Sequence, residues 1–339
     1  SWFKWTHGFP TVPVRSLVVH PRDHDLAIGT FGRAIYILDD VRPLRALAAG
    51  GAPGGLTLYE PPVAYLARIA AMNGYHFSGD AMFKGETRMA GAMLTYWVPA
   101  GSESGEASVS ILDENGSVIR TLEGPAEAGL NRMAWDLRVD LPGEEEEPRS
   151  GGGGGFFGTP RGPEVVPGEY VARVTLGDAT AEQPLTVLPD PRTDVPMADR
   201  VAKFEASMEA ALLNQRLTTA QGRLREVNEA IDKVLAAVQG LEGDAAEAVR
   251  TAGRELKTTL QEGVDFDDAN GQRRGLFALQ SSWDAPTTLE RVAMERMATA
   301  LAEVEAGLNA MLSGPVADFR ATVRAAELDL FPDFDPVGR

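Results

Sequence analysis

Leu213, Leu217, Ala220, Leu224, Val227, Ile231, Val234, Val238 and Leu241 recur at alternating spacings of four and three residues. Only an α-helix puts such a set on one side, so the chain commits here to a single long helix with one apolar stripe. Isolated helices are marginal in water, and a stripe of this length has to be buried against other helices. Candidates follow downstream. Val249, Ala252, Leu256 and Leu260 mark a shorter helix, and Met294, Met297, Leu301, Val304, Leu308 and Met311 form a second long stripe. The second stripe begins just after Thr287-Thr288-Leu289-Glu290, a capping box in which a threonine and a glutamate satisfy each other's backbone N–H groups. Residues 195–326 are therefore expected to form an antiparallel helical bundle or a long helical hairpin. The loop EGVDFDDANGQRRG joins its parts, and residues 327–339 read as an irregular tail. The same spacing serves coiled coils, which leaves an oligomer through the helical domain as the alternative to an intramolecular core.

Everything before Pro196 reads as β-structure. SLVVH, LAIGTF and RAIYILDD are rich in β-branched and aromatic residues and are separated by the turn PRDHD and by Gly32. This is an antiparallel meander of about 25 residues, within a unit over residues 1–45, with apolar residues on both faces, which predicts packing against further sheets. Residues 46–58, which take in most of the run LRALAAGGAPGG, read as a small-residue linker. From 59 to 190, short and evenly spaced strands (AGAMLTYWVPA, ASVSILDENGSVIRTLEG, GLNRMAWDLR, PGEYVARVTLGDATAEQPLTV) point to a sandwich, with DENG as a hairpin turn. A glutamate- and glycine-rich insertion over residues 142–163 is expected to be a loop.

Two resemblances accompany these patterns. The run from Ser1-Trp2 through GFPTVPV, SLVVHPRD, LAIGTFGR and AIYILDD resembles the final blade of bacterial sortilin-like propeller proteins of the Asp-box (BNR) repeat class, often described as glycosyl-hydrolase-like. The resemblance implies that the other blades lie upstream, in a part of the parent chain outside this sequence. ILDENGSVIRTL, GLNRMAWD and PGEY resemble the Ig-like domain of flagellar hook-capping proteins, in which the Trp135 position packs the core and Asp136 ties down a turn. The expected fold class is thus multidomain β plus α: a last propeller blade fragment, an Ig-like antiparallel β-sandwich and a C-terminal α-helical bundle or hairpin.

Composition narrows the partners. With 49 acidic against 32 basic side chains and a formal charge of -17, the chain lacks the basic face that releases counterions from phosphates, which excludes nucleic acid as the expected partner. No apolar run is long enough to span a bilayer, so no membrane insertion is expected. Zero cysteines remove disulfides and thiolate metal sites and fit a bacterial protein in any compartment. SWFKWTHGFP carries no signal sequence and no initiator methionine. The propeller resemblance implies an extracytoplasmic location, periplasmic or secreted.

Few residues suggest chemistry. Asp39 and Asp40 end the third strand, and glycoside hydrolysis uses two carboxylates about 5–10 Å apart. Neighbouring strand residues point to opposite faces, so at most one of them could meet a partner across a cleft; the alternative is a polar strand end that binds turn amides. His20 and His24, with Asp23 and Asp25, have a loose metal-ligand spacing but sit in what reads as a hairpin turn. The Glu144 to Glu147 run reads as a solvated loop. Phe156 and Phe157, after five glycines, are candidate contacts for a partner or for a neighbouring domain. No phosphate loop, nucleophile elbow or zincin helix occurs, and no catalytic residue, cofactor or metal is expected. The expected function is a non-catalytic segment that supports an exported propeller and engages a protein or glycan partner. The alternative is part of a glycoside hydrolase whose site lies mainly on upstream blades.

Overall fold

The structure is a computed structural model and describes residues 9–67, 88, 90–102, 106–141, 162–276, 279 and 281–327. It combines sheets and helices and divides into two compact units, Ser1–Asp194 and Val195–Arg339.

The first unit opens with strands β1 (Val14–Val19), β2 (Leu26–Thr30) and β3 (Ile35–Leu38), an antiparallel meander in the order β1-β2-β3. Its register places Leu17, Ile28 and Tyr36 in one row and Val18, Ala27 and Ile37 in the next. Cross-strand partners share a face and successive residues alternate, so one face carries Leu17, Val19, Leu26, Ile28, Tyr36 and Leu38. The other carries Ser16, Val18, Ala27, Gly29, Ile35 and Ile37. Phe9 stacks edge-on to Tyr36 on the first face. The second is bare: Val18 is 60% exposed, Ile35 70% and Ile37 55%. None of residues 9–39 is fully buried.

Residues 46–58, expected as a linker, begin inside a helix, α1 (Arg42–Gly50), and end in strand β4 (Thr57–Leu58). Pro43 fits the first turn of α1, where a missing N–H costs nothing, and Gly51 at φ +77 stops the helix by donating to the Leu47 carbonyl. The alanines and leucines of LRALAA have helix propensity that a glycine-rich flank obscures.

The remaining strands are β5 (Ala64–Leu66), β6 (Ala92–Val98), β7 (Ala107–Leu112), β8 (Val118–Gly124), β9 (Gly129–Trp135), β10 (Gly168–Leu176) and β11 (Ala179–Pro189). They build a five-stranded sheet, β5-β11-β10-β7-β8, and a three-stranded sheet, β4-β6-β9. All neighbours are antiparallel except β5, which joins β11 in parallel. Leu94, Tyr96, Val98 and Trp135 from the small sheet, and Val109, Ile111, Val174, Leu185 and Val187 from the large one, are buried to within 1% exposure. Each such side chain stabilises by about 1.5–3 kcal/mol. The DENG hairpin forms because Asp113 Oδ1 accepts the N–H groups of Asn115 and Ser117 while Gly116 takes φ +79.

Trp135 is fully buried as expected, donates Nε1–H to the Arg138 carbonyl, and meets the Tyr170 ring edge-on at 5.5 Å. Asp136 differs from its expected turn-tying role and faces Arg120 at 3.6 Å. The carboxylate that ties backbone here is Asp140, which accepts from Thr121 N–H at 2.8 Å and from the Arg120 guanidinium.

The second unit holds α2 (Met197–Ala237), α3 (Asp244–Gly263), α4 (Asp267–Gly275), α5 (Thr288–Ser313) and α6 (Pro315–Ala325). The long stripe divides its work between two cores. Leu213 and Leu217 pack with Met297 and Leu301, and Ile231 and Val238 pack with Val249, Leu256, Leu260 and Phe319; Leu224 borders both. The three predicted stripes are thus spent inside the unit. The expected loop EGVDFDDANGQRRG instead contains α4. Asp267 and Asp268 sit at its positive end and Arg273 and Arg274 at its negative end, and Ala269 is buried. The capping box at Thr287 and Glu290 forms as read from sequence.

Candidate functional site at the exit of the meander

Strand β3 ends at Leu38, so Asp39 and Asp40 lie in the segment leading to α1. The two carboxylates meet different arginines, Asp40 pairing with Arg42 and Asp39 facing Arg88. Asp40 is 1% exposed and holds φ +39, a left-handed conformation that aspartate tolerates better than most residues. Its N–H donates to Asp25 Oδ1 at 2.9 Å, and the next N–H, of Val41, donates to the carbonyl of His24, which is itself at φ +57. The Asp40 carboxylate takes a two-pronged pair from Arg42, Nε at 2.8 Å and Nη2 at 3.0 Å, and accepts from the Arg42 N–H at 3.2 Å. This hydrogen bond raises the Arg42 pKa. Asp40 therefore binds a turn amide just ahead of α1, the role weighed for it from sequence.

Asp39 is placed differently. Its Oδ1 lies 3.8 Å from Arg88 Nη1, and the same nitrogen lies 3.5 Å from Asp25 Oδ2. One guanidinium thus serves two carboxylates. Burial raises the Asp39 pKa; Arg88 and Arg132 oppose the shift, and Asp25 and Asp40 reinforce it.

The third arginine comes from the small sheet. Arg132 on β9 pairs in register with Thr95 on β6 and donates Nε–H to its hydroxyl at 3.0 Å. It then reaches across to the meander, donating to the Asp39 carbonyl at 2.9 Å and the Asp40 carbonyl at 3.2 Å. These carbonyls lie beyond the last strand pair of β3, and the fork-shaped guanidinium satisfies both. Burial lowers the Arg132 pKa while Asp40 and Asp39 counter it. The arrangement fastens the exit of the meander to the sheet pair.

The remaining candidates are dispersed. His20 Nδ1 accepts from Asp23 N–H at 3.1 Å in the hairpin turn, and His24 contributes a carbonyl. Among the described residues no three acidic or histidine side chains gather as metal ligands. Phe156, Phe157 and the Glu144 to Glu147 run lie outside the described residues. Sequence reasoning missed Arg88 and Arg132, since the bonds of Arg132 to Asp39 and Asp40 span 93 and 92 positions and leave no local pattern.

Asp39→Asn is expected to stabilise the first unit at neutral pH. An acid whose folded pKa is raised contributes stability below its unfolded pKa and loses it as pH rises through the folded value. The wild type should therefore fall behind the variant from just above pH 3.8 upward, and the two should converge below it. Thermal melts across that range measure the gap; a variant that is less stable at neutral pH refutes this reading of Asp39.

No protein-family model and no curated protein matches the chain.

Proposed function

We propose that this chain is a non-catalytic supporting segment of a larger exported β assembly of the Asp-box, sortilin-like propeller kind. In this reading the meander is its terminal blade, the sheet pair an Ig-like sandwich and the helices a C-terminal bundle, and the segment presents the assembly to a protein or glycan partner. One observation carries the reading: a sheet with apolar residues on both faces and no fully buried residue among the described residues 9–39 is nevertheless fastened at its exit by Arg132. A sheet so exposed is an aggregation liability unless further sheets cover it. The alternative, a glycoside hydrolase whose site lies mainly on upstream blades, could draw on at most one of Asp39 and Asp40, and the Asp40 carboxylate is committed to Arg42.

The test is intact mass and N-terminal sequencing of the protein from its native source, with amide exchange of β1 and β3 compared between native protein and the Ser1–Arg339 segment. A mass above 36.3 kDa, Asp-box repeats before Ser1 and slower exchange of both strands in the native protein are expected. A native chain of that mass with equally fast exchange removes the proposal.

A further inference from the structure

The sequence holds three Asn-Gly pairs, at 73–74, 115–116 and 270–271, and the first lies outside the described residues. Asparagine is chemically labile before glycine, whose backbone nitrogen has no side chain beside it to keep it from the asparagine carboxamide. The two described pairs are held in opposite ways. Asn115 and Gly116 are both exposed at the tip of the DENG hairpin between β7 and β8. The Asn115 N–H donates to Asp113 Oδ1 at 2.9 Å, but its carboxamide bonds to no described residue. Asn270 instead lies half-buried inside α4. Its N–H donates to the Phe266 carbonyl at 2.9 Å, its Oδ1 accepts from Gln221 Nε2–H at 3.1 Å, and Gly271 continues the helix.

We infer that Asn115 is a site of spontaneous covalent modification, through a succinimide closed by the Gly116 backbone nitrogen. That nitrogen bonds to the side-chain carbonyl carbon of Asn115, the carbon–nitrogen bond of the carboxamide breaks, and the amide group leaves as ammonia with the proton that the glycine nitrogen gives up. Water then adds to either carbonyl of the ring and opens it, to aspartate by one route and isoaspartate by the other. Water is the only co-reactant, and nothing is oxidised or reduced. Ring closure needs the Gly116 N–H to leave the Asp113 carbonyl, 3.0 Å away, and the chain to turn about Asn115. An exposed hairpin tip opens at little cost, whereas Asn270 reacts only if α4 unwinds and takes the buried Ala269 with it. Both products place a third carboxylate directly after Asp113 and Glu114. Isoaspartate also adds a methylene to the main chain between Asp113 and Ser117, whose mutual bonds, Ser117 N–H to Asp113 Oδ1 at 2.8 Å and Asp113 N–H to the Ser117 carbonyl at 2.9 Å, close the hairpin. Modification thus makes the tip more acidic and loosens it, while the deeper pairs Val109 with Leu122 and Ile111 with Arg120 remain. The inference stands on residues 113–117 and 266–271 and is independent of the proposed function.

The test is incubation of the folded Ser1–Arg339 chain at mildly alkaline pH in water enriched in heavy oxygen, followed by digestion and peptide mapping by mass spectrometry. The peptide containing Asn115 is expected to take up heavy oxygen and to split into aspartyl and isoaspartyl forms. Its rate should exceed that of the Asn270 peptide by at least about ten-fold, the ratio that a difference of about 1.4 kcal/mol in the opening step produces. Mildly acidic buffer should slow it, because the glycine nitrogen then keeps its proton. Asn115→Gln should stop it with far-UV circular dichroism unchanged, since glutamine would have to close a larger ring. In denaturant the Asn115 and Asn270 peptides should react at similar rates, which assigns the ratio to the fold. An Asn115 that reacts in denaturant but not in the folded chain, equal rates at the two asparagines in the folded chain, or aspartate formed without isoaspartate overturns the inference.

Discussion

Lys203→Met will destabilise the helical unit by about 3–5 kcal/mol, the cost of leaving one charge of a buried pair without its partner. Lys203 on α2 and Glu290 on α5 are both buried, with Nζ 2.9 Å from Oε1. The other carboxylate oxygen accepts from the Thr287 N–H at 2.7 Å and the Thr287 hydroxyl at 2.9 Å, so one side chain closes the capping box and clamps two helices. Burial alone would raise the Glu290 pKa, but the Thr287 N–H, Lys203 and the Thr287 hydroxyl together hold it below the ordinary value of 4.5. A depressed carboxyl contributes stability that is present above its unfolded pKa and lost as pH falls through its folded one. The wild-type helical unit should thus lose stability below about pH 4.5, and Lys203→Met should lose less there because only Thr287 still holds its Glu290 down. Glu290→Gln alone should cost as much as Lys203→Met, since it strands the ammonium. The double variant should recover most of the loss, because glutamine still fits a capping box. Denaturant unfolding of the four proteins gives the coupling directly; additive losses would show that the pair does not act as a unit.

The sequence announces one half of that clamp and hides the other. Thr287 and Glu290 stand three apart ahead of an apolar stripe, a local signature that the structure reproduces. Lys203 lies 87 positions away and reads as one more charge on an amphipathic helix. The same division runs through the molecule. Strands β1 to β3, the DENG hairpin and the three stripes follow from periods of two and of 3.6 and from aspartate and glycine chemistry, all local. The sequence of helix α4 reads as a loop because its polar residues have no stripe, and its support comes from charges placed at its two ends. At the junction, Asp39 and Asp40 could be singled out, but not the left-handed turn at Asp40 that follows the end of β3. Nor could the arginine that each would meet, because Arg88 and Arg132 arrive from other parts of the first unit.

Gly91→Ala will destabilise the first unit by about 2–6 kcal/mol, adding a strained backbone to a collision with main chain. Gly91 sits at φ +106 just before β6, and a β-carbon there would lie 2.0 Å from the Trp135 carbonyl oxygen and 2.9 Å from its carbon. No side chain can swing aside to relieve this. Trp135 is fully buried against Tyr170, and its backbone is paired in register with Ala92, so the obstacle is fixed by the core. Gly129 supplies the control: it has nearly the same φ, +108, with nothing within 4 Å of the added carbon. Gly129→Ala should therefore cost only the conformational term, about 1–3 kcal/mol. The difference between the two variants, read as denaturant midpoints at unchanged slope, isolates the steric cost of bringing β6 against the end of β9. Equal losses would mean that the glycine is required for its dihedral angle alone. A larger loss at position 91 would show that the close approach of the two strands, which places Thr95 and Arg132 side by side under the meander, depends on the missing side chain.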